Sequence, residues 1–167
     1  RFKTVDSSND LYVSLTYTDE FDEDIIIRVD SGLKINPLMK VLFNEGITGL
    51  QWFSGIPATV GGAIYMNMHG GDLYFGDLVE QARITNGNNT REVKNDYFQF
   101  DYDWSFLHQT KEVVLWADLC LKKGDVQKAK ELARNWAKIK SLQPQRSAGC
   151  IFRNLTEEEQ NKHNLPT

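Results

Sequence analysis

The segment DLYVSLTYT, Asp10 to Thr18, alternates apolar and polar positions, and EDIIIRVDSG, Glu23 to Gly32, does the same. A period of two marks strands with one buried face, so both predict strands, joined by an acidic turn from Asp19 to Asp24. NPLMKVLFNEGI, Asn36 to Ile47, switches to helical spacing. Asn36 is placed to cap that helix, Pro37 suits its first position and Gly46 ends it. LVEQARITNGNNTREVK predicts two strands around Asn86–Asn89, and EVVLWADLCLKKG predicts another strand. From Asp125, a capping residue, a helix is expected to run to about Ser141, with Val126, Ala129, Leu132, Ala133, Trp136, Ala137 and Lys140 on one face. The lysines on its other face suit solvent, and Pro144 stops it. Strands punctuated by helices without strict alternation imply an α+β fold, a mainly antiparallel sheet flanked by helices.

Composition adds exclusions. Of 167 residues, 41% are hydrophobic, enough for a core, and the formal net charge is −4. That balance argues against a nucleic-acid groove or an anionic membrane surface as partner. No apolar run has the length of a membrane span and the start has no hydrophobic signal core, so a cytoplasmic location is expected. Cys120 lies in an alternating run and is expected as a small core residue. His69, His108 and His163 have no spacing suited to a metal or a catalytic triad. A strand already under way at Arg1 and a loop at the other end read as a piece cut from something longer.

GIPATVGGAIYMNMHGG, Gly55 to Gly71, concentrates glycine and small side chains. Such a run either makes a tight helix-to-strand connection or lays bare backbone, and several N–H groups, against a ligand. Its spacing matches neither the phosphate-binding P-loop nor the dinucleotide fingerprint. On spacing alone both readings stand.

The wording of the segment goes further. GLQWFSGIPATVGGAIYMN closely resembles the flavin-binding stretch of the UDP-N-acetylenolpyruvoylglucosamine reductase family, the UDP-N-acetylmuramate dehydrogenases of peptidoglycan synthesis, with Ala58 in place of the usual second glycine. EVVLWADLCLKKGD and the helix after it continue the resemblance, and SAGCIFRN, Ser147 to Asn154, resembles the family's S-A-G-[SC]-x-F-K-N. The family is similar in fold to vanillyl-alcohol-oxidase-type flavoproteins, in which two subdomains sandwich FAD. The resemblance therefore implies that residues 1–142 are the second FAD-binding subdomain, the first lying upstream, and that residues 143–167 open a substrate-binding domain. It implies FAD contacts at Gly55, Ile56, Pro57, Ala58, Thr59, Val60, Gly61 and Gly62, with Asn67 nearby.

The implied reaction passes a hydride from NADPH through FAD to the enolpyruvyl ether of UDP-N-acetylglucosamine, a step of cell-wall synthesis on which cell shape and division depend. Cys150 falls on the family's proton donor. Tyr102, Ser105, Arg153 and Asn154 fall on substrate-binding positions, Arg153 replacing the usual lysine. One departure stands out: in FDYDWS, Asp103 occupies the place of an arginine expected to stabilise the enolate, a charge inversion wrong by several kcal/mol at close range. Arg146 is a candidate replacement, and the family's late glutamate is expected beyond Thr167. Two further readings remain: a flavin-binding or structural module without catalysis, and another oxidase of the same superfamily.

Overall fold

A computed structural model describes residues 2–6, 11–17, 24–71, 73–142, 155 and 157–163. Three strands open the chain, β1 (Phe2–Asp6), β2 (Leu11–Tyr17) and β3 (Asp24–Asp30). Helix α1 (Ile35–Asn44) and the short β4 (Ile47–Thr48) follow, then a 3₁₀ turn at Leu50–Phe53 and the two-turn α2 (Val60–Tyr65). β5 (His69–Gly70) pairs with β6 (Leu73–Tyr74), and after a 3₁₀ turn β7 (Val79–Thr85) and β8 (Thr90–Lys94) form the expected hairpin. α3 (Leu107–Thr110), β9 (Val113–Lys123), α4 (Val126–Ser141) and α5 (Glu157–Lys162) complete the order.

The main sheet is antiparallel, in the order β1-β2-β3-β9-β7-β8, with β4 paired to the far end of β9. β9 is the central strand because its eleven residues serve β3 on one side and both β7 and β4 on the other. One face of the sheet carries Ile25, Ile27, Val29, Ala82, Ile84, Ala117, Leu119 and Leu121, all buried against Leu38 and Leu42 of α1, Val60 and Ile64 of α2, and Phe53 and Phe75. Each such fully buried Ile, Leu or Phe side chain contributes about 1.5–3 kcal/mol of transfer free energy. This single cluster fixes where α2 and the glycine run must lie.

The opposite face of the sheet is polar. Arg28 donates to Asp118 through Nε (2.8 Å) and Nη2 (2.7 Å), Gln81 Nε2 donates to the same carboxylate, and the guanidinium lies 3.7 Å from the Trp116 ring centre. Cys120 stands on this face, opposite Ile26, and is half-buried, which corrects its assignment to the core. The residues inside are its neighbours Leu119 and Leu121.

Helix α4 keeps its expected bounds and cap, with Asp125 Oδ1 accepting from the amides of Gln127 and Lys128. Helix α1 does not. It begins at Ile35, with extended Lys34 before it and no side-chain cap. Asn36 is thus inside the first turn, and its amide is used elsewhere: Nδ2 donates to Ile56 O and Oδ1 accepts from Gly55 N. The expected cap is instead a clamp on the start of the glycine run. Pro37, third in the helix, sits where an N–H has no intrahelical partner anyway. Gly46, at φ +77, ends the helix as expected. The turn between β2 and β3 and the stop at Pro144 lie outside the described residues, apart from Asp24.

Candidate functional site

The glycine run is pinned to the loop after β3. Ile35 N donates to Ala58 O and Val60 N to Leu33 O, forming a bridge at Lys34 and Thr59. Gly61 N donates to Ser31 O at 2.8 Å, and Gly62 N to Thr59 Oγ1 at 3.2 Å, capping α2. The amides of Val60, Gly61 and Gly62 are therefore spent within the protein, which favours the tight-connection reading of the run over the one that offers several N–H groups to one ligand.

Most of its glycines are likewise needed internally. A Cβ on Gly55 would stand 3.0 Å from Ala137 Cα of α4, and one on Gly61 3.0 Å from Ser31 Cβ. Gly70 passes over the Trp52 carbonyl and Gly71 over the Trp52 ring, itself edge-on to Trp136 at 6.4 Å. What Gly71 accommodates is thus an indole of the same chain. Gly62 differs: it is exposed, and a Cβ there would meet only Thr59 Oγ1, at 3.3 Å.

Gly62 opens onto a cleft of about 450 Å³ lined by three segments: Ser31–Gly32, the run Thr59, Gly61, Gly62 and Tyr65, and Leu107 with residues 111–114. Val60 is buried behind it and Gly55–Ala58 lie outside it. In its wall Glu112 is buried, bound by Arg91 through Nη1 (2.5 Å) and Nη2 (3.1 Å) and by the Tyr97 hydroxyl. Burial pushes the Glu112 carboxyl up, but the bonds from Tyr97 and Arg91 outweigh it and hold the group below the usual glutamate range. A lowered folded-state pKa gives stability that is present above the unfolded value and lost as pH falls through the folded one. Acid titration of folding should therefore show a Glu112-dependent loss on the acid side of the ordinary glutamate pKa. In Glu112→Gln that limb should flatten; an unchanged acid limb would mean the carboxylate is not linked to folding.

The remaining expected residues are placed as follows. Asn67 is buried at φ +44, with Nδ2 donating to Asp101 O and Oδ1 accepting from Gly76 N, so its amide ties two loops together. Ser105 is fully buried and donates its hydroxyl to Tyr65 O at 2.7 Å, which holds a cleft-lining residue. Tyr102 is half-buried and stacks on His69 at 5.6 Å. Asp103, at φ +47, is engaged by His69, whose Nδ1 lies 2.8 Å from Asp103 Oδ1. Burial, with Tyr102 and Asp103 nearby, pushes the adjacent Tyr74 hydroxyl up. The His69 contact gives Asp103 a polar partner, and spacing gave no sign of it, since the two stand 34 positions apart. Cys150, Arg153, Asn154 and Arg146 lie outside the described residues.

The family model described as the FAD binding domain matches residues 4–92, a span that holds β3, α1, the glycine run, β7 and the start of β8. The chain belongs to the FAD-binding-domain family. Within it, this FAD-binding domain is 36% identical over 138 residues to a UDP-N-acetylenolpyruvoylglucosamine reductase of Chlamydia felis (strain Fe/C-56), covering 81% of this chain and 46% of that protein. It is 34% identical to the reductase of that name from Anoxybacillus flavithermus (strain DSM 21510 / WK1), over 81% of this chain and 47% of the relative. The chain thus spans about half the length of the relatives it matches. The crystal structure of UDP-N-acetylenolpyruvylglucosamine reductase from Thermus caldophilus superposes with a TM-score of 0.68 at 27% identity, over 77% of this chain and 48% of that one. A solvent-stable cholesterol oxidase shares the fold alone, with a TM-score of 0.50 at 14% identity over 66% of this chain and 23% of the oxidase. The vanillyl-alcohol-oxidase-type antiparallel fold expected from the resemblance is the fold observed.

The cleft of this FAD-binding domain fits its family's cofactor as one wall. Bare backbone at Gly62 leaves room for a flat ring system at close range, and Val113, 60% exposed at the cleft, offers it apolar surface.

Proposed function

We propose that this chain is the flavin-binding part of an NADPH-dependent reductase that converts the enolpyruvyl ether of UDP-N-acetylglucosamine to UDP-N-acetylmuramate, a cytoplasmic step of peptidoglycan precursor synthesis. The observation that carries the proposal is the open cleft at Thr59, Gly61 and Gly62 in a chain related to reductases of that name. Residues 1–142 form the flavin subdomain in this reading, and residues 143–167 begin the substrate-binding part.

Bound FAD supplies the hydride-transfer chemistry that no side chain provides. Thr59, Gly61 and Gly62 line it; Gly55, Ile56, Ala58, Val60 and Asn67 hold that wall in shape through the contacts above, and Pro57 restricts the backbone between them. The net change adds a hydride and a proton across the enolpyruvyl C=C while NADPH becomes NADP⁺. Cys150 delivers the proton to the carbon beside the carboxylate. A thiol of ordinary pKa, about 8.5, is mostly protonated at neutral pH and has that proton to give. Arg153, Asn154 and Tyr102 hold the substrate in this reading, with Ser105 fixing the loop that carries Tyr102.

The test is stopped-flow measurement on the natural polypeptide that carries this chain. NADPH should bleach its flavin absorbance and the enolpyruvyl substrate should restore it. Cys150→Ala should leave the first phase nearly intact and slow the second on the order of a hundredfold, while Cys150→Ser keeps substantial turnover. A polypeptide that binds no flavin overturns the function, and equal slowing of both phases, or of neither, removes Cys150 as the acid. One observation favours a flavin module without catalysis: Asp103 stands where the resemblance requires a cation. Substrate-dependent NADPH oxidation by the wild type eliminates that reading.

A further inference from the structure

Lys111 and Glu112 are the charged side chains in the lining of the cleft. They are not equivalent. The Glu112 carboxylate is bound by Arg91 and by the Tyr97 hydroxyl, so its charge is matched where it lies. Lys111 is exposed, and among the described residues no carboxylate pairs with it. Ser31, Gly32, Thr59, Gly61 and Gly62 contribute hydroxyls and backbone to the same lining. The balance of formal charge in the cleft is therefore one lysine.

The backbone singles out that lysine as well. Lys111 sits at φ +59, the left-handed region that lysine seldom adopts, closing α3 through a bond from its N–H to Leu107 O at 2.9 Å. Glycine or asparagine meets this conformation with less strain. A cationic side chain on the rim of a cleft, at a left-handed helix end and with no carboxylate partner among the described residues, motivates a ligand role.

We propose that Lys111 pairs with the diphosphate of the bound flavin dinucleotide, so that this wall reads the ligand's charge as well as its flat ring. The inference rests on the flavin reading above and adds to it the residue that distinguishes a phosphorylated flavin from a neutral one. An ammonium on a flexible stem meets a phosphate oxygen as a point charge, and hydrogen bonds to charged groups are among the stronger contacts of a binding site.

The experiment uses the natural polypeptide stripped of flavin and titrated with FAD and with riboflavin, which has the same ring and no phosphate, reading quenching of flavin fluorescence. Lys111→Asn removes the charge while tolerating the left-handed backbone, and Lys111→Arg keeps the charge. Lys111→Asn should weaken FAD about tenfold or more and leave riboflavin unchanged, whereas Lys111→Arg should retain most FAD affinity. Added salt should weaken FAD more in the wild type than in Lys111→Asn. Equal losses for both flavins assign Lys111 a structural role and overturn the proposal, as does unchanged FAD affinity. A wild type that binds neither flavin overturns the flavin reading itself, a result distinct from both.

Discussion

Gly70→Ala should destabilise the fold by at least about 3 kcal/mol, at the severe end of overpacking substitutions. The Cβ it adds would stand 2.3 Å from the Trp52 carbonyl oxygen and 2.7 Å from its carbon, and 3.1 Å from the Phe53 ring. Those first two atoms are backbone, so no side-chain rotation relieves the clash. Moving the strand is no escape either: β5 is tied to β6, and the next residue, Gly71, already lies against the Trp52 ring with its own φ at +61. Gly62→Ala is the matched control. Its Cβ meets one side-chain oxygen at 3.3 Å, and alanine is the better helix former by about 1 kcal/mol, so folding should be neutral to slightly favoured. Chemical denaturation of the two variants beside wild type separates them. Equal stabilities would show that the glycine run does not divide into internally packed and outward-facing positions. Flavin titration of Gly62→Ala adds the functional half, since a methyl there intrudes on the cleft and should weaken binding.

Parts of this arrangement were legible in the sequence because they depend on neighbours a few residues away. Asp125 caps α4 through amides two and three positions on, and Asn86 organises the hairpin turn by accepting from Asn88 and Asn89. The alternation in β3 likewise shows directly as buried Ile25, Ile27 and Val29. β9 is harder because both phases of its alternation are apolar. Its register against β7 also shifts between the Arg83 and Ile84 pairings, so that Val114 and Ala117 both face inward. Period alone could not decide which side Cys120 takes. Asn36 looked like a cap because the helix start was set by local spacing, whereas the strand-like bridge of Lys34 to Thr59 moves that start upstream. The cleft was half legible. Its glycine edge is written in Thr59–Gly62, and the resemblance named the ligand, but Ser31 and Lys111 are brought to their places by pairing across the sheet and loops.

Arg28→Ala should cost about 3 kcal/mol, because it strands a buried carboxylate. The Asp118 side chain is only 6% exposed, while Arg28, at 46%, reaches it from the neighbouring strand with two hydrogen bonds. Without the guanidinium, Asp118 keeps the single bond from Gln81 at 2.7 Å, and the Trp116 ring loses the cation lying on it. Arg28 also sits directly opposite Asp118 in the β3–β9 register, so the pair joins the two strands that carry the central core residues. Coupling, more than the single loss, is the decisive quantity. A largely buried charge costs most when its partner alone is removed, so replacing both residues by apolar ones of similar size, Arg28→Met with Asp118→Leu, should recover most of the loss. A double-mutant cycle in urea measures this directly. If the double variant is as unstable as the sum of the singles, the Arg28–Asp118 contact is an incidental surface pairing, and the polar face of the sheet owes its order to something else.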